Sequence, residues 1–235
     1  MARDDDPEGE AEALYRRLAA ALPDYFANPD TEGLVILMGE AERRAAEAEV
    51  ADRLAAEGRP RAWARAGAFY EDAWLYCLRD VVRFPDGSLG THHRILHKGS
   101  PDGVAILPRW QGRLVLLRHF RHGIRDWSLE FPRGGGEAGK APEALARGEL
   151  REELGAEAGA LRPLGVLYPQ NNIMATRLWL FLAELETLGS PNTAEGIADI
   201  RSVTVAELER LIDGDIVTDS ASVALYTRAR LKGLL

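Results

Sequence analysis

Three glutamates offer the clearest chemistry. Glu149, Glu152 and Glu153 stand at i, i+3 and i+4, so at about 100° per residue of helix all three carboxylates project from one face. Leu150 and Leu154 share another. Carboxylates this close repel by a few tenths of a kcal/mol per pair when exposed and by more when partly buried, which calls for a positive partner. A hard divalent cation is such a partner, and magnesium keeps open positions for water and phosphate oxygens. The competing reading is a solvated acidic face that Arg147 and Arg151 simply balance.

The surroundings bear on that choice. A strand over Ser128 to Phe131 runs into Pro132-Arg-Gly-Gly-Gly136, which reads as a glycine loop; Pro142 then opens a helix that Gly155 closes. The loop lacks both the G-K-[ST] ending and the G-x-G-x-x-G spacing of nucleotide cradles. The fragment Glu130 to Gly155 resembles the signature of the Nudix hydrolase family: G, five residues, E, seven residues, then R-E-apolar-x-E-E-x-G-apolar. Gly134 matches the first glycine, and Glu149, Leu150, Glu152, Glu153, Gly155 and Ala156 match the second half in register. Two positions depart from it: Lys140 stands where the family has glutamate and Gly148 where it has arginine, a role in which Arg147 or Arg151 could partly substitute. A glycine inside a helix costs about 1 kcal/mol relative to alanine, so Gly148 implies either close backbone packing or tolerance.

The resemblance spans roughly Gly67 to Leu231 and is nearest to the ADP-ribose pyrophosphatase branch. It implies Glu149, Glu152, Glu153 and the main-chain carbonyl of Arg133 as metal ligands, for Mg2+ or alternatively Mn2+, with Gly134 and Gly155 as structural glycines. The run Leu116 to Arg121 looks like the strand that carries substrate-facing arginines, which points to Arg118 and Arg121, with Glu130 beside them. Tyr168-Pro169 sits where the branch has a proline loop, although Gln170-Asn171-Asn172 replaces its usual Ser-Pro-Gly. Ala194-Glu195-Gly196-Ile197 resembles the loop that brings a glutamate to the site, so Glu195 and Glu153 are the catalytic candidates. The implied reaction is metal-dependent hydrolysis of a nucleoside diphosphate linked to another group, with ADP-ribose going to AMP and ribose 5-phosphate. The alternatives are another nucleotide sugar or dinucleotide, or a catalytically weak Nudix-fold module that binds or regulates.

Elements must hold these groups in place. Glu10 to Leu22 and Glu40 to Glu57 read as helices, the second with Ala46, Val50 and Leu54 on one face and Gly58-Arg59-Pro60 as its stop. Strands are expected over Phe69 to Val82, Gly90 to Leu96, Val104 to Leu107 and Leu114 to Phe120, with turns at Pro85-Asp86-Gly87 and Gln111-Gly112. Beyond the box come strands near Leu164 to Tyr168, Leu178 to Leu182 and Ile200 to Val205. A mobile loop is expected over Leu188 to Gly196, and closing helices over Ala206 to Ile212 and Ala221 to Leu231. The expected fold is an α/β Nudix α/β/α sandwich with a mixed sheet, preceded by a helical extension (1–60) and a small β subdomain (about 67–100) within a 61–235 hydrolase domain.

Composition closes other routes. With 29 Lys and Arg against 37 Asp and Glu, the 235-residue chain carries a net charge of −8, so a basic nucleic-acid footprint is not expected. Its one cysteine, Cys77, excludes an internal disulfide and a multi-cysteine zinc site and reads as a core residue. His92 and His93 are adjacent in a strand and so face opposite sides. The acidic start at Met1 and the lack of a long apolar run point to a cytoplasmic protein with no leader and no membrane partner. The family branch implies a homodimer acting on a small nucleotide diphosphate.

Overall fold

The computed structural model describes residues 7–30 and 32–235; Met1 to Asp6, on which the expected lack of a leader rests, lie outside the described residues. The chain forms two compact units. One runs to Lys98 and takes in Asn172–Met174, and the other comprises Gly99–Asn171 with Ala175–Leu235.

The first unit holds α1 (Pro7–Ala21), β1 (Val35–Ile36), α2 (Glu40–Ala56), β2 (Gly67–Glu71), β3 (Leu75–Arg83) and β4 (Leu89–His97). Strand β3 is central and pairs antiparallel with the other three. The expected continuous strand from Phe69 to Val82 is instead a hairpin, because the Asp72 carboxylate accepts the amides of Trp74 (2.7 Å) and Leu75 (2.8 Å) and folds the chain back. Ala46 and Val50 are buried as their spacing predicts. Cys77 is only half-buried, correcting its core assignment, because strand alternation gives the inward place to Leu78. At the unit's centre Asp80, 1% exposed, accepts the Tyr15 hydroxyl (2.6 Å) and two bonds from the Arg94 guanidinium (2.5 and 2.9 Å). Ile95 of β4 donates its amide to the Ile173 carbonyl at 2.8 Å, which draws the 172–174 segment into this unit.

The second unit is a seven-stranded mixed sheet of β5 (Ser100–Trp110), β6 (Arg113–Arg121), β7 (Asp126–Glu130), β8 (Arg133–Gly136), β9 (Ala158–Leu167), β10 (Arg177–Leu185) and β11 (Ile197–Val203). The order is β11-β6-β5-β10-β9, with β7 added to β6 and β8 to β5; only β10 and β5 run parallel. Alternation along the strands divides the core in two. Val104, Ile106, Val115 and Leu117 face α3 (Pro142–Leu154) through Leu150 and Leu154. Their neighbours Ala105, Leu107, Leu114 and Leu116 face α4 (Val205–Asp213) and α5 (Ser220–Leu231) through Leu208 and Leu225. This is the expected α/β/α sandwich. Each fully buried leucine contributes about 2 kcal/mol of apolar burial, so both helical layers are firmly seated.

Two elements differ from expectation. The glycine stretch is not a free loop but strand β8, with Arg133 opposite Ala105 and Gly134 opposite Val104. Strand β9 begins at Ala158, six residues before the sequence suggests, because Pro163 sits on an edge strand at a register shift where a missing amide is tolerated.

Candidate active site

Helix α3 presents the three glutamates unequally. Glu153 is 2% exposed, Glu149 is half-buried and Glu152 is exposed. Gly155, at φ 58°, ends the helix in a left-handed turn, which is why a glycine is needed there. Strand β8 supplies the facing wall. The Arg133 amide donates to Glu153 Oε2 at 3.2 Å. A Cβ on Gly134 would lie 1.8 Å from Glu149 Oε1, so the Glu149 carboxylate occupies the space a side chain would take. A Cβ on Gly136 would collide with the Asp102 main-chain oxygen at 1.4 Å. The two glycines thus let β8 approach a carboxylate and a neighbouring strand.

Burial dominates the electrostatics. It raises the Glu149 carboxyl to about 7, with help from Glu152 and Glu195. Burial likewise raises Glu153 to about 8, with Glu149 and Glu195 adding to it and Arg121 and the Arg133 amide opposing. The charged form of each is therefore short of a partner. Neither nearby helical arginine supplies one: Arg147 donates to the carbonyls of Ala158 and Gly159 (2.8 Å to the latter), and Arg151 pairs with Glu157 at 3.5 Å. Lys140 pairs with Glu137 at 2.5 Å. Gly148 faces open space, its nearest neighbour being Glu152 Oε1 at 4.0 Å from a built Cβ, so close backbone packing does not explain it.

Oxygen donors that lack protein counter-charge are the set a hard divalent cation takes, and on that ground the residues fit one. Among the described residues no group of three or more His, Cys, Asp or Glu side chains stands in closed metal-holding geometry. An ion here would need main-chain, water or ligand oxygens to complete its shell.

The remaining candidates divide by sheet face. Glu130, 1% exposed, accepts Arg121 Nε at 2.7 Å and a second bond from the same guanidinium, with Arg133 Nε 3.8 Å away. Arg121 lies near enough to Glu153 to oppose its rise. Arg118 does not join them: three residues before Arg121, it projects from the opposite face of β6 and stacks over the exposed Trp127 ring at 4.0 Å. Glu195 ends a short 3-10 turn, Thr193–Glu195. Asn192 Nδ2 donates to its carboxylate (2.9 Å), while the Asn192 amide donates to the Glu153 carbonyl (3.2 Å).

Sequence reading missed a supporting layer. Asp219 caps α5 by accepting the Ser222 amide and hydroxyl at 2.9 Å each, and the Ser222 hydroxyl oxygen in turn accepts the Phe131 amide at 2.9 Å. Arg133 Nη2 lies 3.3 Å from Asp219. The Asp219-x-x-Ser222 spacing is an N-cap pattern and was the available signal. His119, buried on β6 and part of no ligand spacing, lies 3.7 Å from Glu130.

Comparison with known proteins accords with this arrangement. The NUDIX domain model matches residues 99–222, beginning where the second unit begins. An ADP-ribose pyrophosphatase of Bacillus subtilis (strain 168) is 25% identical over 157 residues, covering 66% of this chain and 84% of that protein. An ADP-ribose pyrophosphatase of Mycobacterium tuberculosis (strain ATCC 25618 / H37Rv) is 31% identical over 150 residues, covering 61% and 70%. A crystal structure of an ADP compounds hydrolase superposes with TM-score 0.62 at 20% identity over 72% of this chain and 92% of the other, which speaks for the fold. With the family model matching more than half its length over the strand, glycines and glutamate helix just described, the chain belongs to the Nudix family of hydrolases.

Proposed function

We propose that this chain hydrolyses the diphosphate of ADP-ribose to AMP and ribose 5-phosphate, using Mg2+ or Mn2+ held by Glu149, Glu152, Glu153 and the Arg133 carbonyl. The observation that carries the reading is the pair of inward carboxylates, Glu149 and Glu153, raised to about 7 and 8 and left without a guanidinium from their own helix. The names of the relatives support the substrate class. When bound, a divalent ion supplies charge neutralisation on the phosphate oxygens and stabilises the departing phosphate.

The chain's own groups do the rest. Arg121, oriented by Glu130, offers its guanidinium to phosphate oxygens. Glu195, with Glu153 as the alternative base, takes a proton from water as the water oxygen bonds to one phosphorus. The bridging P–O bond breaks, and the leaving phosphate keeps its electron pair. The Asp219–Ser222 pair holds the Phe131 amide two residues before Arg133, which ties the β7–β8 junction to the start of α5.

The reading extends to a cytoplasmic homodimer with residues 1–60 as an extension and 61–235 as the hydrolase portion, taking no nucleic acid and no membrane. Among the described residues no helix is long and apolar enough to cross a membrane. Light scattering that returns a monomer overturns the dimer.

A second reading, a binding or regulatory module with little turnover, draws on Lys140 and Gly148, since Arg147 and Arg151 are engaged elsewhere. One experiment separates the two. The protein is incubated with Mg2+ and ADP-ribose, other nucleotide sugars, dinucleotides and coenzyme A in 18O water, and products are read by mass spectrometry. AMP and ribose 5-phosphate with one labelled oxygen are expected. Retained binding with no turnover of any compound establishes the module instead.

A further inference from the structure

His119 stands between two parts of the candidate site. It is 8% exposed, and its Nδ1 is buried without a hydrogen-bond partner, 3.7 Å from Glu130 Oε1. The rest of the ring lies against the loop that carries Glu195. The Glu195 main chain lies close enough to act on the imidazole, and a Cβ on Gly196 would sit 4.0 Å from His119 Cδ2, the carbon bonded to Nε2. The backbone makes the same junction: His119 pairs with Ile197, and the Phe120 amide donates to the Gly196 carbonyl at 3.0 Å. Gly196 itself is in the left-handed region at φ 81°, so this is where the chain turns from the 3-10 turn into β11.

We infer that His119 is a positioning residue, whose Nε2–H side holds the Glu195 carbonyl and so fixes the Glu195 carboxylate relative to the Arg121–Glu130 pair. The inference rests on the proposed role of Glu195 in hydrolysis. The charged groups around the ring are Arg121, Glu130 and Arg133, with the Glu195 main chain beside them; burial and Arg121 hold the imidazole below its ordinary range, so the neutral ring, with one donor nitrogen, does the holding. Asn192 anchors the other side of the loop to the end of α3 through the Glu153 carbonyl. Glu195 therefore hangs between two anchors, one on each of the elements that carry its partners.

The test uses the full chain and three variants. In H119Q the amide nitrogen reaches the place of Nε2, in H119N it reaches only the place of Nδ1, and H119A removes the ring. Amide exchange over residues 192–198, read by mass spectrometry without metal or substrate, is expected to quicken at least fivefold in H119A and H119N and to stay within twofold of the parent in H119Q. With ADP-ribose and Mg2+, kcat is expected to fall at least tenfold in H119A with KM within threefold, and H119Q is expected to recover most of it. Unchanged exchange in H119A, or H119Q as fast-exchanging as H119A, overturns the proposal whatever the activity does. E195Q keeps the two failures apart: if it hydrolyses ADP-ribose at the parent rate, the role of Glu195 in hydrolysis falls, while the exchange result still decides whether His119 holds the loop.

Discussion

Among the described residues the first unit buries one carboxylate almost completely, Asp80, and the second buries two, Glu130 and Glu153; Asp80 and Glu153 are treated in opposite ways. Asp80, in the first unit, has both oxygens bonded by Arg94 and one also by Tyr15. Glu153, in the second, is as deeply buried yet receives one main-chain amide and sits beside Glu149, which repels it. Burying a charge without a partner costs several kcal/mol, and a buried acid that lacks one avoids that cost by holding its proton, as the raised pKa of Glu153 records. A paired buried acid ties elements together. An unpaired one keeps its charge only when a cation is supplied.

That contrast can be broken in measurable ways. The largest effect is expected from Glu153→Gln, which keeps the shape and removes the charge: turnover of ADP-ribose drops about 100- to 10,000-fold, while the metal-free protein melts no lower than the parent. If Glu153→Gln melts much lower and still turns over, Glu153 is a structural acid like Asp80 and the comparison collapses. Asp80→Ala is the mirror experiment. It strands the Arg94 guanidinium and is expected to cost about 3 kcal/mol, read from a denaturant midpoint, and Asp80→Ala with Arg94→Met is expected to recover part of that.

The pH dependence follows next. Glu149 and Glu153 have folded pKa values above their ordinary 4.5. The folded state therefore binds more protons than the unfolded state between that value and about 8. Without metal, stability falls as pH rises through this window, so the melting temperature is lower near pH 8.5 than near pH 5.5. Each kcal/mol corresponds to about 2–4 °C for a chain of this size. Mg2+ is expected to reverse the loss at the alkaline end by binding the ionised carboxylates, and Glu149→Gln to shrink the loss to the part that burial of Glu153 contributes. A flat metal-free profile overturns the claim that these acids are uncompensated. The smallest effect is Gly148→Ala: with open space at its Cβ position, it is expected to stabilise by about 1 kcal/mol through helix propensity alone. A loss of stability there overturns the reading of position 148 as an open helix face.

What the sequence made legible was what local spacing determines. Glu149, Glu152 and Glu153 share a helix because i, i+3 and i+4 leave no other geometry, and Pro142 and Gly155 bound that helix by backbone preference. The alternation of Val104, Ala105, Ile106 and Leu107 fixed a strand buried on both sides. Partnership across the chain was not legible. That the glycines of β8 pair with β5 depends on Asp102 and Gly103; that Asp80 meets Tyr15 and Arg94 joins residues 65 and 14 positions apart; and Pro163 reads as a break until its strand is known to lie at an edge. Which of the three glutamates turns inward was equally hidden, since a helical wheel assigns a face but no depth.

The closeness of Gly134 to the Glu149 carboxylate makes the two positions a single object of fixed volume. The atoms a built Cβ meets there belong to the movable end of a side chain, whereas at Gly136 they belong to backbone. An added methyl at 134 is therefore absorbed by the fold and displaces the carboxylate, while one at 136 is not absorbed at all. Under mutation and selection, position 134 is coupled to 149: what one residue gains in bulk the other must give up, and Gly134→Ala paired with Glu149→Asp is the exchange that keeps the sum constant.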